Sequence, residues 1–260
     1  MKILRRIVLL AIAFFFVELY IDSNVLTISE FCIENKKIPS KFDGYKILHL
    51  SDLHSKSFGN KNDKLIEKIN EINPDIIVMT GDMVNCNDTN FDNFFELVKV
   101  LVKKYDIYYI VGNHEQNMKK VNKNVIIDFL EANGVRVLDN EKVELVKEDE
   151  KINLYGLWCN LRYYSAKAEG EKEEFTLETI EKIMANEKIN NDEYNILLAH
   201  NPNFIESYAA WGANLTLSGH IHGGMVRIPF IGGVFSPDTL LFPKYDSRIV
   251  WSFRKTTDSK

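Results

Sequence analysis

Tyr45-Lys46-Ile47-Leu48-His49-Leu50-Ser51-Asp52-Leu53-His54 is an apolar run that breaks into a carboxylate and an imidazole one residue apart. The same grammar returns at Ile76-Ile77-Val78-Met79-Thr80-Gly81-Asp82 and at Ile107-Tyr108-Tyr109-Ile110-Val111-Gly112-Asn113-His114-Glu115. It returns twice more, at Asn195-Ile196-Leu197-Leu198-Ala199-His200-Asn201-Pro202 and at Leu215-Thr216-Leu217-Ser218-Gly219-His220-Ile221-His222. The apolar parts read as buried strands, and the polar parts as the loops that leave them. Five of the six histidines stand in these loops; only His49 lies inside a strand.

Between the strands the period changes. Leu65, Ile66, Ile69 and Ile72 fall at helical spacing, and that helix must stop before Pro74. Phe91, Phe94, Phe95, Val98 and Leu101 predict a second amphipathic helix, and residues 125–130 a third, closed by Asn133-Gly134. Strands are expected over 135–138, 143–146 and 152–158, then helices over 175–186 and 204–210, the last capped by Gly212. A β segment is expected earlier, over 25–33. With no internal repeat and no low-complexity linker, alternating strands and helices predict one layered α/β domain.

Composition limits the function classes. The chain has 260 residues, 27% charged and 45% hydrophobic, with a formal charge of −5. Disordered and collagenous classes are excluded, and the mild acidity argues against gripping nucleic acid through bulk positive charge. Cys32, Cys86 and Cys159 match no metal or redox spacing and read as small core or surface residues. At the N-terminus, Lys2, Arg5 and Arg6 precede an unbroken apolar run from Ile7 to Val17. No small-x-small cleavage pattern follows. The expectation is an uncleaved signal anchor over residues 1–21, with its basic end in the cytoplasm and the remainder outside. Residues 22–44 would form a linker with the β segment, and 45–260 the main domain.

In open α/β sheets the carboxyl ends of the strands line the ligand crevice, so the polar loops would converge on one edge. Carboxylate, imidazole and amide oxygen together suit Mn, Fe or Zn rather than a thiolate site. Seven such groups are too many for one tetrahedral ion. They suit two divalent cations about 3.5–4 Å apart, the arrangement used for in-line displacement at phosphorus. If the backbone at Asp52-x-His54 and His220-x-His222 is extended, both members of each pair point to one face. Gly81, Gly112 and Gly219 permit tight, left-handed turns beside a ligand.

Taken in order, these five motifs resemble the calcineurin-like metallophosphoesterase superfamily, over residues 45 to about 231. The N-terminal segment, the Leu50-Ser51-Asp52-Leu53-His54 start and the Gly219-His220-Ile221-His222-Gly223-Gly224 run resemble its membrane-associated bacterial phosphodiesterase branch. The resemblance implies a four-layer α/β/β/α sandwich and hydrolysis of a phosphodiester or pyrophosphate bond; the expected location alone suggests a lipid or cell-envelope substrate. It implies one metal held by Asp52, His54, Asp82 and His222, and a second by Asp82, Asn113, His200 and His220, with Asp82 bridging. His114 would contact the phosphate or protonate the leaving oxygen, and a metal-bridging hydroxide would be the nucleophile. Two other readings stay open: a nucleotide or nucleic-acid phosphodiesterase, and a metal-binding scaffold without turnover. The expected partners are a phosphate-ester substrate and the membrane, with no stable nucleic-acid partner.

Other residues have plainer readings. His49 reads as a satisfied core histidine, Glu115 as a capping or supporting group, and Lys119 and Lys120 as a solvated face. Arg162, Tyr163 and Tyr164 either contact substrate or cover the core, and Arg227 is a further substrate candidate. The pattern also departs from relatives. Asn85 stands where purple acid phosphatases carry a tyrosine ligand, and Met83-Val84-Asn85-Cys86 lacks the Asp-Arg-Gly of Ser/Thr protein phosphatases. Met225 replaces the branch's usual Gln. The chain ends 15 residues after Tyr245, where the resembling proteins continue with further strands, so a truncated C-terminal sheet edge is expected.

Overall fold

The structure, a computed structural model, describes residues 24–164, 173–222, 226–228 and 232–235, with scattered positions before residue 24. The expected anchor over 1–21, the C-terminal edge, and the side chains of Met225 and Arg227 lie outside the described residues. Among the described residues no helix is long and apolar enough to cross a membrane.

Two four-stranded sheets organise the chain. The first has the order β1 (Ile47–Leu50), β2 (Ile76–Met79), β3 (Asp106–Tyr109) and β4 (Arg136–Val137), all parallel. Its crossovers are α1 (Asp63–Ile72), α2 (Asp92–Leu101), and α3 (Asn113–Asn117) followed by α4 (Lys120–Ala132). The second sheet begins with the antiparallel hairpin β5 (Glu141–Lys147) and β6 (Glu150–Leu157). It continues in parallel through β7 (Asn195–Ala199) and β8 (Leu215–Leu217). α5 (Leu177–Ile183) and α6 (Ile205–Trp211) connect these later strands, and β9 (Val226–Ile228) pairs antiparallel with β10 (Gly232–Phe235).

The alternation of side chains along the strands divides the interior into three cores. Ile77, Met79, Ile107 and Tyr109 face α1, α2 and α4, against Leu65, Ile69, Phe94 and Leu97. Ile76, Val78, Tyr108 and Ile110 face the other way, against Leu154, Ile196 and Leu198 of the second sheet. Tyr155, Leu157, Leu197 and Ala199 then meet Ile180, Tyr208 and Trp211 of α5 and α6. Three cores between four layers make an α/β/β/α sandwich. Strands buried on both faces explain why the sequence shows continuous apolar runs rather than alternation. Each fully buried Ile or Val contributes about 1.5–3 kcal/mol, so a charge at Ile77 or Val78 would be ruinous.

Local chemistry sets the ends. α1 stops where Asn73 turns left-handed (φ 48°) and returns its N–H to Ile69, one residue before Pro74. The expected helix over 175–186 is shorter, Leu177–Ile183, opened by the Thr176 side chain, which accepts from the Thr179 N–H. The β segment expected over 25–33 is a correction: those residues carry no regular structure. Val25, Ile28 and Phe31 are about half exposed there. Strand-like composition makes no strand without a neighbouring edge to complete its hydrogen bonds.

Candidate metal centre

Register places the loops. Leu50 pairs with Met79 and Met79 with Tyr109, while Ala199 pairs with Leu157 and Leu198 with Leu217. The five polar motifs therefore leave their strands at nearly one level, on one edge of both sheets. Hydrogen bonds at that edge join the loops after β7 and β8 and fasten the second sheet to the first. The Gly219 N–H donates to the His200 carbonyl (3.1 Å), and the His220 N–H reaches both Asp52 carboxylate oxygens (3.0 Å each).

The seven expected groups come together in two lobes. Asp52, His54 and His222 form one triad whose ligating atoms lie within 4.8 Å of one another; Asp82, His200 and His220 form another, and His54, Asp82 and His114 link the two. Asn113 Oδ1 completes the second lobe, 3.0 Å from His200 Nε2 and 2.7 Å from His220 Nδ1. In the first, His54 Nε2 and His222 Nε2 face each other at 3.2 Å, with their rings stacked. His222 Nε2 stands 3.8 Å from Asp52 Oδ1.

How the paired motifs converge corrects the sequence reading. Asp52, His54, His220 and His222 are not extended; all have positive φ, between 48° and 70°, as does Asp82 at 53°. Left-handed turns, not strand alternation, swing each pair inward. Such backbone costs about 1–3 kcal/mol per residue and concentrates at functional sites, with Asp and His tolerating it better than most. Of the three glycines, only Gly81 is left-handed (φ 91°). Gly112 and Gly219 serve proximity instead. A Cβ on Gly112 would overlap Asp82, and one on Gly219 would overlap Ser51 Oγ and Asp52 Oδ2.

Protonation follows from these partners. His200 Nδ1 lies 2.6 Å from the Thr80 carbonyl, which can only accept, so Nδ1 carries a proton and Nε2 points at Asp82 Oδ2 (3.2 Å). Burial alone would lower His200, but the bond and charge of Asp82 override it and raise its pKa to about 9. Burial pushes Asp82 the other way, and the same partner with the His114 amide brings it down to about 2. Burial and neighbouring imidazoles hold His54 below the usual histidine value, and burial foremost does the same for His222. The Cys86 N–H donates to His114 Nδ1 (3.2 Å), so the neutral ring carries its proton on Nε2. His49 behaves as a satisfied histidine: its Nε2 meets Thr80 Oγ1 at 2.7 Å, and burial lowers it to about 4.

The donor set fits divalent cations. Two carboxylates, four imidazoles and one amide oxygen converge, His200 is held with Nε2 inward, and two imidazole nitrogens face each other. Sequence reasoning undervalued the scaffold around these groups. Glu115, fully buried, accepts N–H bonds from Asp82 (2.9 Å), Met83 (2.8 Å), Gly112 (3.0 Å) and Val84 (3.4 Å), tying the loops after β2 and β3 together. Burial and the Asp82 charge raise it to about 7, against the pull of those amides. An acidic residue three positions after Gly112 was the available signal, since it is how a helix N-terminus caps itself. Asn85 exchanges bonds with His54, its Oδ1 3.1 Å from Nδ1 and its Nδ2 donating to the carbonyl at 3.0 Å.

Tyr163 and Tyr164 settle as core residues, both under 9% exposed. Tyr164 also backs the second lobe, its ring 5.1 Å from that of His220 and 6.3 Å from that of His200. Arg162 pairs with Glu173 at the surface (3.4 Å), and Lys119 and Lys120 are exposed.

The chain is similar to known proteins in sequence. The family model for calcineurin-like phosphoesterase matches residues 45–224. The chain is 30% identical over 223 residues to the uncharacterized metallophosphoesterase YkuE of Bacillus subtilis (strain 168), covering 84% of this chain and 72% of that one. It is 31% identical over 209 residues to an uncharacterized metallophosphoesterase of Aquifex aeolicus (strain VF5), covering 80% and 74%. It is 26% identical over 200 residues to the phosphodiesterase YaeI of Escherichia coli (strain K12), covering 74% and 66%. Among solved structures, the phosphopantetheinyl hydrolase PptH of Mycobacterium tuberculosis aligns at 12% identity and a TM-score of 0.40, covering 66% of this chain and 75% of that one.

Proposed function

The chain belongs to the calcineurin-like phosphoesterase family, and from that premise we propose that it is a two-metal phosphodiesterase whose ions sit in the two lobes. Asp52, His54 and His222 would hold one ion, Asn113, His200 and His220 the other, with Asp82 shared. Bound there, two divalent cations (Mn, Fe or Zn) would acidify water and neutralise charge at phosphorus. The chain's own residues supply the rest. Glu115 and Thr80 fix the orientation of Asp82 and His200 before any ligand arrives, which removes reorganisation from the reaction. His114 works as a neutral donor, since the Cys86 amide occupies Nδ1 and leaves Nε2–H for a phosphoryl or leaving-group oxygen.

The observation that carries the reading is the convergence of seven ligand-type side chains from five loops of two sheets. A phosphodiester substrate is favoured over a monoester by the likeness to the phosphodiesterase YaeI. The basic start and apolar run of residues 1–21 support attachment to a membrane with the domain outside the cytoplasm, and hence a lipid or cell-envelope substrate. The full chain, purified without chelators, should contain about two metal equivalents and hydrolyse bis-p-nitrophenyl phosphate with added Mn²⁺. Metal-free protein that gains no hydrolysis with any of the three ions would end the proposal.

A further inference from the structure

The bonds between Asn85 and His54 continue outward to Asp88. Asn85 Oδ1 lies 3.1 Å from His54 Nδ1, while Asn85 Nδ2 donates to the His54 carbonyl (3.0 Å) and to Asp88 Oδ2 (3.3 Å). The same Asp88 oxygen accepts from the Asn85 N–H (2.9 Å) and from the Ser55 hydroxyl (2.5 Å). From α4, Asn122 donates to the Asp88 carbonyl (3.3 Å) and steadies this loop from outside. The loop after β1 is thereby tied at His54 and Ser55 to the loop after β2 at Asn85 and Asp88.

The direction of each bond follows from its partners. Carboxylate and carbonyl oxygens only accept, so the atom that Asn85 turns toward Asp88 and the His54 carbonyl is its nitrogen. The Asn85 oxygen is then the atom that meets His54 Nδ1, and Nδ1 carries the ring proton. That leaves the lone pair on Nε2, which faces His222 Nε2 at 3.2 Å inside the first lobe. Burial alone would raise Asp88, but the Ser55 and Asn85 bonds prevail and hold it below the usual carboxylate value. An anion behind an amide polarises it and strengthens the bond that its oxygen accepts. Metal-binding imidazoles commonly rest on a carboxylate directly. Here an amide stands between the two.

We propose that Asp88 is a positioning residue for the first lobe, acting through Asn85 to keep the His54 ring in its Nδ1–H form with Nε2 turned to a divalent cation. The inference rests on the two-metal reading and deepens it, and one of its readouts needs no metal. Long-range nitrogen–proton NMR of the metal-stripped full chain should show His54 as the Nδ1–H tautomer. Asp88→Ala and, separately, Asn85→Ala should each introduce the Nε2–H form. In calorimetric titration with Mn²⁺, each substitution should weaken the looser of the two metal steps about tenfold and leave the tighter step unchanged. Adding Asp88→Ala to Asn85→Ala should change neither readout further, because the carboxylate acts through the amide. An unchanged tautomer in Asp88→Ala, equal weakening of both steps, or additive losses in the double variant overturns the positioning role and leaves the two-metal reading standing. A single metal step in wild type overturns that reading, and the role of Asp88 with it.

Discussion

The two lobes of the site are built differently. Asp82, His200 and His220 are each at most 5% exposed, and backbone groups hold the first two. The lobe of Asp52, His54 and His222 is partly open, and the His222 side chain is 31% exposed. Both lobes draw on both sheets and on the loop after β8, but the enclosed one is held by a buried glutamate and by backbone groups, while the other is left partly open. The difference teaches that shared ligand chemistry need not mean shared rigidity. The enclosed lobe should bind its ion tightly and the open one exchangeably.

The largest test of that contrast removes what the lobes share. Asp82→Ala should lose both ions together and lower turnover by more than about 10⁴-fold, read by metal analysis and kcat. Loss of only one ion would mean that Asp82 is not common to both. Next comes His114→Ala, which should keep both ions and lower kcat by about 10²–10⁴-fold; a variant short of metal would move His114 into the ligand set. Glu115→Ala strands four buried amides and should destabilise the metal-free protein by at least about 3 kcal/mol in denaturant unfolding. Glu115→Gln, which keeps an acceptor oxygen, should recover part of that loss.

Smaller effects sharpen the comparison. Calorimetric titration should show two metal steps, weakened about a hundredfold by His200→Ala in one and about tenfold by His222→Ala in the other. Equal effects would erase the distinction between enclosed and open lobes. The smallest signal is in pH. The folded pKa of His200 is raised from 6.5 to about 9, so its ion pair with Asp82 stabilises fully below pH 6.5 and is lost as pH rises through about 9. The melting temperature of the metal-free protein should therefore fall between pH 7 and 9, and His200→Gln should flatten that slope.

Much of this was legible from residues. The buried strands of 76–79 and 195–199 have the expected bounds, because a run apolar on both faces has no other stable place. The seven convergent side chains were also named from the sequence, since each follows such a run. Glu115 was noticed but not valued, because its four partners lie at Asp82, Met83, Val84 and Gly112, and only folding brings the loops of β2 and β3 together. The misread β segment at 25–33 failed for the converse reason: composition was present and an edge to pair with was not.

By itself the sequence determined where polar groups break off from apolar strands, and therefore which side chains could meet. Tertiary structure alone decided how they meet. Left-handed turns at Asp52, His54, Asp82, His220 and His222, glycines with no room for a Cβ, and a glutamate shared among four amides are consequences of packing two sheets face to face with their loops at a common edge. Backbone sign and hydrogen-bond partnership are non-local quantities, fixed by neighbours that stand up to 168 positions apart in the chain.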